Sequence, residues 1–176
     1  KRGIFFRYLS MINFYNLCSS GVKMKNRLSL LKSYLLGRSN FISMPIELII
    51  EPTNRCNLSC IMCPREKIEL APQDMTLDLF KKIIKEGAAS LELVDFSFRG
   101  EPLMNDNIFA MVSYAKSERI KTYLSTNAIL LDAKKSRELL MSGLDLLVIS
   151  IDALTPESYV KIRKGGDFLL LMENIK

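Results

Sequence analysis

Residues 51–65 read EPTNRCNLSCIMCPR and set three cysteines, Cys56, Cys60 and Cys63, inside eight residues. The chain has one further cysteine, Cys18, and no histidine. A Cys-x3-Cys-x2-Cys spacing lets a tightly wound loop aim its sulfurs toward one place, and thiolates suit iron–sulfur clusters, zinc or copper(I). Structural zinc takes four protein ligands in a tetrahedron. Here the fourth would be Cys18 or a carboxylate such as Glu51, Glu66 or Glu69. A cubane cluster on three cysteines leaves one iron open for another ligand instead. Cysteines crowded this closely do not read as a secreted disulfide framework, which points to a reducing, cytoplasmic setting. Cys18 reads as an ordinary buried thiol.

The elements that must position this loop follow from residue 45 onward. Four short apolar runs, residues 46–51, 91–98, 121–126 and 145–151, read as buried parallel strands. Each precedes a helical pattern. The first helix is expected over residues 77–86, capped by Thr76, with Leu79, Phe80, Ile83 and Ile84 inward and Gly87 as its stop. A second follows Asp106 and buries Ile108, Phe109, Met111 and Val112; a third begins after Asp132 and stops at Gly143. The fourth opens with Thr155 as cap and Pro156 at its first position. Gly165 and Gly166 then precede a last apolar helix. Repeated βα units imply right-handed crossovers and a parallel sheet, either doubly wound or curled toward a barrel that four strands cannot close.

Such sheets bind ligands beyond the carboxyl ends of their strands. Those ends are the polar positions of this chain: Thr53 and the cysteine loop, then Arg99, Gly100, Glu101 and Pro102, then Ser125, Thr126 and Asn127, then Ser150 and Asp152. Caps and turns also favour Ser, Asp and Asn, so each of these residues has a structural reading beside the functional one.

The string CNLSCIMC, residues 56–63, resembles the cluster motif of the radical S-adenosylmethionine (radical SAM) enzymes. RGEP, residues 99–102, is similar to the Gly-Gly-Glu-Pro motif of that family, with Arg99 in place of the first glycine. STN at 125–127, SID at 150–152 and YVKIRKGG at 159–166 extend the resemblance over residues 45–176. It implies a 4Fe–4S cluster on Cys56, Cys60 and Cys63, with the open iron chelated by S-adenosylmethionine. Reductive cleavage would then give a 5′-deoxyadenosyl radical that abstracts hydrogen from substrate. It further implies that Gly100, Glu101 and Pro102 approach the methionine ammonium, and that Ser125, Asn127, Ser150 and Asp152 lie near the ribose and methionine parts. Arg163 would reach the ligand carboxylate, and Met62 would replace an aromatic residue beside the adenine. The fold expected is an α/β partial TIM-type barrel with four of six βα units, preceded by a basic helical segment. A low-potential electron donor of flavodoxin or ferredoxin type is implied as partner. The competing class is a non-catalytic module whose loop holds zinc or an electron-transfer cluster.

Composition fits this frame: 176 residues, 48% apolar and 25% charged, are a globular balance. The net charge of +6 is concentrated in residues 1–44, where Lys and Arg precede the first acidic residue, Glu47. Domain boundaries are therefore drawn as a basic helical segment, 1–44, and a core, 45–176, that reads as the N-terminal part of a longer protein. In the segment, Leu28, Leu31 and Leu35 form a stripe expected to cover the open end of the barrel, with peripheral membrane contact as the other reading. No recognition fold for nucleic acid accompanies the charge. The substrate, whether peptide, sugar, lipid or RNA, is not written in these residues.

Overall fold

The four apolar runs become strands β1 (Glu47–Ile49), β2 (Leu93–Phe96), β3 (Lys121–Thr126) and β4 (Leu146–Ile149). The computed structural model describes residues 21–38 and 43–176; Cys18, Lys1, Arg2 and Arg7 lie outside the described residues. All neighbours are parallel and the sheet order is β1-β2-β3-β4. Right-handed crossovers that always step in one direction place the crossover helices on one face, so the sheet is a barrel wall and not a doubly wound sheet with a switch point.

Around it run α1 (Gly21–Leu35), α2 (Leu77–Gly87), α3 (Ile108–Ser117), α4 (Ala133–Met141), α5 (Pro156–Ile162) and α6 (Phe168–Asn174). Local chemistry sets their starts. The side chains of Thr76, Asp132 and Asp167 accept from backbone N–H groups of the first turns, and Thr155 forms a reciprocal capping box with Ser158. Val94, Phe96 and Leu124 point from the sheet into the layer of Phe80, Ile84, Met111 and Val112, and all seven are fully buried. Each contributes about 1.5–3 kcal/mol by leaving water. Phe80 and Phe96 add a ring contact with centroids 5.6 Å apart.

Two expectations for α2 are corrected. Leu79 is exposed, because the buried pair Phe80 and Ile84 stands four residues apart on one stripe and Leu79 lies about 100° off it. Gly87 does not stop the helix in a left-handed turn. It is the last helical residue, and a Cβ there would meet the Leu91 side chain at 2.4 Å.

The leucine stripe of α1 also behaves otherwise than expected. Leu28, Leu31 and Leu35 are 58, 53 and 72% exposed. The helix is held by its polar side at the start of the strands: Lys23 donates to the Leu91 carbonyl, and Arg27 pairs with both oxygens of Glu92. The Glu92 carboxylate is nearly buried, and keeping it paired orients the helix. No helix among the described residues is long and apolar enough to cross a membrane.

Asp95 sits on the concave face of β2, opposite the helices, paired in register with Ile49 and Tyr123. One carboxyl oxygen is buried with no partner among the described residues. Burial pushes its pKa up, opposed in part by a hydrogen bond with Ser97, and burial followed by the charge of Asp95 does the same to Glu47. Both groups hold protons more tightly folded than unfolded. The folded state therefore loses stability as pH rises from the unfolded pKa values through the raised ones. Asp95→Asn, which removes the charge in a similar shape, is expected to flatten that decline in urea unfolding curves taken from about pH 4 to about pH 8.

Candidate metal centre

The cysteine loop is a closed unit because its base is stitched. Thr53 and Asp74 form an antiparallel bridge, and the Thr53 hydroxyl donates to the Asp74 carboxylate at 2.6 Å. The Asn54 side chain accepts from the Gln73 N–H and donates to the Ala71 carbonyl. Arg55 pairs with Asp74 and also donates to the Met104 carbonyl. That fork holds the Asp74 carboxyl below its usual range, Arg55 acting first and Thr53 adding to it. The middle of the loop is fixed separately: Ser59 N–H donates to Lys164 O and Ile61 N–H to Ile162 O, at the end of α5.

The turn after β2 closes against this loop. Gly100 is packed so tightly that a Cβ would stand 1.8 Å from Thr53 O and 2.9 Å from Arg55 O. Glu101 N–H donates to Arg55 O at 2.8 Å. The Glu101 side chain is 2% exposed and turns inward, where it accepts from Thr126 Oγ1, Asn127 N and Leu103 N. Burial pushes its pKa up and these donors oppose the shift. Pro102 opens a buried 3₁₀ turn, Pro102–Met104.

All three thiols are half-buried and free of disulfides. Cys60 O accepts from Cys63 N–H, which sets the tight spacing of the last two. Two side chains distant in sequence face the sulfurs, one just after β3 and one at the C-terminal cap of α5. Asn127 Nδ2 lies 3.9 Å from Cys56 Sγ and donates to Asn57 Oδ1 at 2.8 Å. Arg163 Nη1 lies 3.8 Å from Cys60 Sγ, while Nη2 pairs with Asp152. The Cys56 thiol is pushed up by burial, against which the Leu58 N–H acts.

The remaining predicted residues fall on the same rim in smaller groups. Ser125 and Ser150 hydroxyls are 3.3 Å apart across β3 and β4. Asp152 is in the left-handed region, φ 58°, beside Arg163. Met62 is 54% exposed. Glu51, offered above as a fourth zinc ligand, is paired through both oxygens with Arg99. A cavity of about 340 Å³ opens between Glu51, Arg55, Cys56, Arg65 and Arg99. Sequence reasoning placed Thr126 among the polar strand ends without giving it a partner, and it missed Asn57, Asp74 and Tyr159 as parts of this arrangement. Asn57 and Tyr159 stand inside the motifs CNLSCIMC and YVKIRKGG, whereas nothing local marked Asp74.

What group suits these residues can be tested on their chemistry. Among the described residues no three Cys, Asp or Glu side chains converge as ligands to a single ion would. In a cubane each thiolate takes a different iron, so the sulfurs gather around the cluster and not on a single ion. Around them Arg163 Nε and Tyr159 Oη are buried donors with no partner among the described residues. Tyr159 lies within electrostatic reach of both Arg163 and Cys60. Three thiolates ringed by surplus donors fit an anionic, sulfide-bearing cluster.

Comparisons with known proteins agree with this geometry. The family model described as Radical SAM superfamily matches residues 50–176. A probable GTP 3′,8-cyclase of Methanocaldococcus jannaschii is 34% identical over 136 residues, 72% of this chain and 43% of that protein. The tungsten-containing aldehyde ferredoxin oxidoreductase cofactor-modifying protein of Pyrococcus furiosus is 36% identical over 109 residues, 61% of this chain and 31% of that one. The crystal structure of Streptococcus suis SuiB bound to S-adenosylmethionine superimposes with a TM-score of 0.63 at 21% identity, covering 84% of this chain and 32% of that one. The chain thus spans less than half the length of these curated relatives.

Proposed function

We propose, from the premise that this chain belongs to the radical SAM superfamily, that Cys56, Cys60 and Cys63 bind a 4Fe–4S cluster and the strand rims beside them hold S-adenosylmethionine. When bound and reduced, the cluster supplies the electron that cleaves S-adenosylmethionine to a 5′-deoxyadenosyl radical, which takes hydrogen from substrate. The chain's own residues position and shield. The stitched base, Thr53 with Asp74, keeps the thiolates at the mouth of the sheet, and Glu101 fixes the rim on which Asn127 stands. The Gly100–Pro102 backbone, Ser125, Asn127, Ser150, Asp152 and Arg163 form the polar wall for the methionine and ribose parts. Met62 offers an apolar, polarizable surface for the adenine. Residues 45–176 carry these functions, with residues 1–44 as an appended segment. A low-potential donor of flavodoxin or ferredoxin type would deliver the electron.

The observation that carries this reading is the donor shell around the cysteine loop, with Asn127 on Cys56 and Arg163 on Cys60. Anaerobic reconstitution of the full-length protein with iron and sulfide tests it. About four irons and four sulfides per chain are expected, with an electron paramagnetic resonance signal perturbed by S-adenosylmethionine and release of 5′-deoxyadenosine. One zinc per chain without sulfide would overturn it. Cys60→Ala should lose most of the bound iron and the visible cluster absorbance. For substrate, GTP is the first compound to add, on the strength of the cyclase relatives alone.

A further inference from the structure

Arg163 is a charged side chain placed directly on a cysteine of the loop. It comes from the far end of the chain, 103 residues from Cys60, at the C-terminal cap of α5. Its side chain is 14% exposed, so its charge is poorly screened. The five guanidinium donors are divided among three directions: Nη1 toward Cys60 Sγ at 3.8 Å, Nη2 toward the Asp152 carboxylate, and a buried Nε with no partner among the described residues. Asp152 is more open, at 43% exposed, and is held at φ 58° so that its carboxylate meets the arginine.

We infer that Arg163 and Asp152 form a charged pair that sets the reduction potential of the cluster, with Arg163 raising it and Asp152 trimming that effect. The inference rests on the cluster reading above and concerns the cluster before S-adenosylmethionine binds. Reduction adds one electron, drawn from an external low-potential donor, and makes the cluster more negative. A buried cation and a hydrogen bond to a cysteinyl sulfur favour that state over the oxidised one, and hydrogen bonds and net charge are the protein's levers on such potentials. Asp152, opposite in sign and partly solvated, acts the other way and more weakly.

The test is a potentiometric titration of the reconstituted full-length protein, followed by electron paramagnetic resonance without S-adenosylmethionine. Arg163→Met is expected to lower the reduced-to-oxidised ratio at fixed ambient potential by about tenfold, a fall of about 59 mV for one electron. Asp152→Asn keeps a residue type that tolerates the left-handed backbone and is expected to raise the ratio by about threefold. Arg163→Lys, which keeps the charge without the fork, should fall between wild type and Arg163→Met. A merely structural role would move both substitutions the same way, with loss of iron, and would overturn the assignment. So would unchanged potentials at full cluster content. If Arg163→Met fails to hold a cluster, the opposite sign expected of Asp152→Asn still decides the matter. A wild-type protein that assembles no cluster sinks the parent reading and this one with it, a result distinct from a cluster whose potential ignores both residues.

Discussion

Gly100→Ala is expected to destabilise the full-length protein by more than about 3 kcal/mol in denaturant unfolding and to cut the iron bound on reconstitution severalfold. The reason is geometric. A methyl group at this position would stand 1.8 Å from Thr53 O and 2.8 Å from its carbon, both backbone atoms. Backbone can yield only if the loop base moves, and that base is tied by the Thr53–Asp74 bridge, the Asn54 N–H to Gln73 O bond and the Arg55 fork. Moving it shifts Cys56, three residues on from Thr53. Gly21→Ala is the control, since a Cβ there meets nothing within 4 Å among the described residues, and it should change stability by less than about 1 kcal/mol. Equal stability of the two variants would mean that the turn after β2 does not position the loop.

The contrast between these glycines shows what kind of information the sequence carries. Gly100 was legible as a functional position because RGEP follows an apolar run, but the surface it presses on lies across the sheet at Thr53, and no local pattern names that partner. The same division runs through the fold. Strand β3 lies on the run marked for it, Lys121–Thr126, although only every second residue is buried. The caps Thr76, Asp132 and Thr155 are local chemistry and are found in place. The three cysteines were legible from spacing. Partners 71 and 103 residues away, Asn127 for Cys56 and Arg163 for Cys60, were not, because periodicity assigns a face and not a neighbour. The stripe of α1 failed for a related reason: three leucines define an apolar side, but the buried carboxylate of Glu92 decides which side faces the sheet.

Glu101→Ala is expected to cost on the order of 3–6 kcal/mol, because three donors, Thr126 Oγ1, Asn127 N and Leu103 N, would be left without an acceptor where water does not reach. Glu101→Gln should recover only part of this. Its oxygen can keep Thr126 and Leu103, but its amide nitrogen then meets the Asn127 N–H, donor against donor. The pattern separates two roles for the carboxylate. A carboxylate has about four acceptor sites, and three donors already occupy it, so direct capture of the methionine ammonium could draw on only one more. If that capture dominated, Glu101→Gln would weaken S-adenosylmethionine binding at unchanged stability. The internal bonds lead to the opposite result in paired urea unfolding and isothermal titration: most of the loss in stability, with ligand affinity falling only as far as Asn127 is displaced from Cys56. Asn127 has its N–H on Glu101 and its side chain 3.9 Å from the sulfur, so whatever loosens Glu101 reaches the thiolate through a single residue.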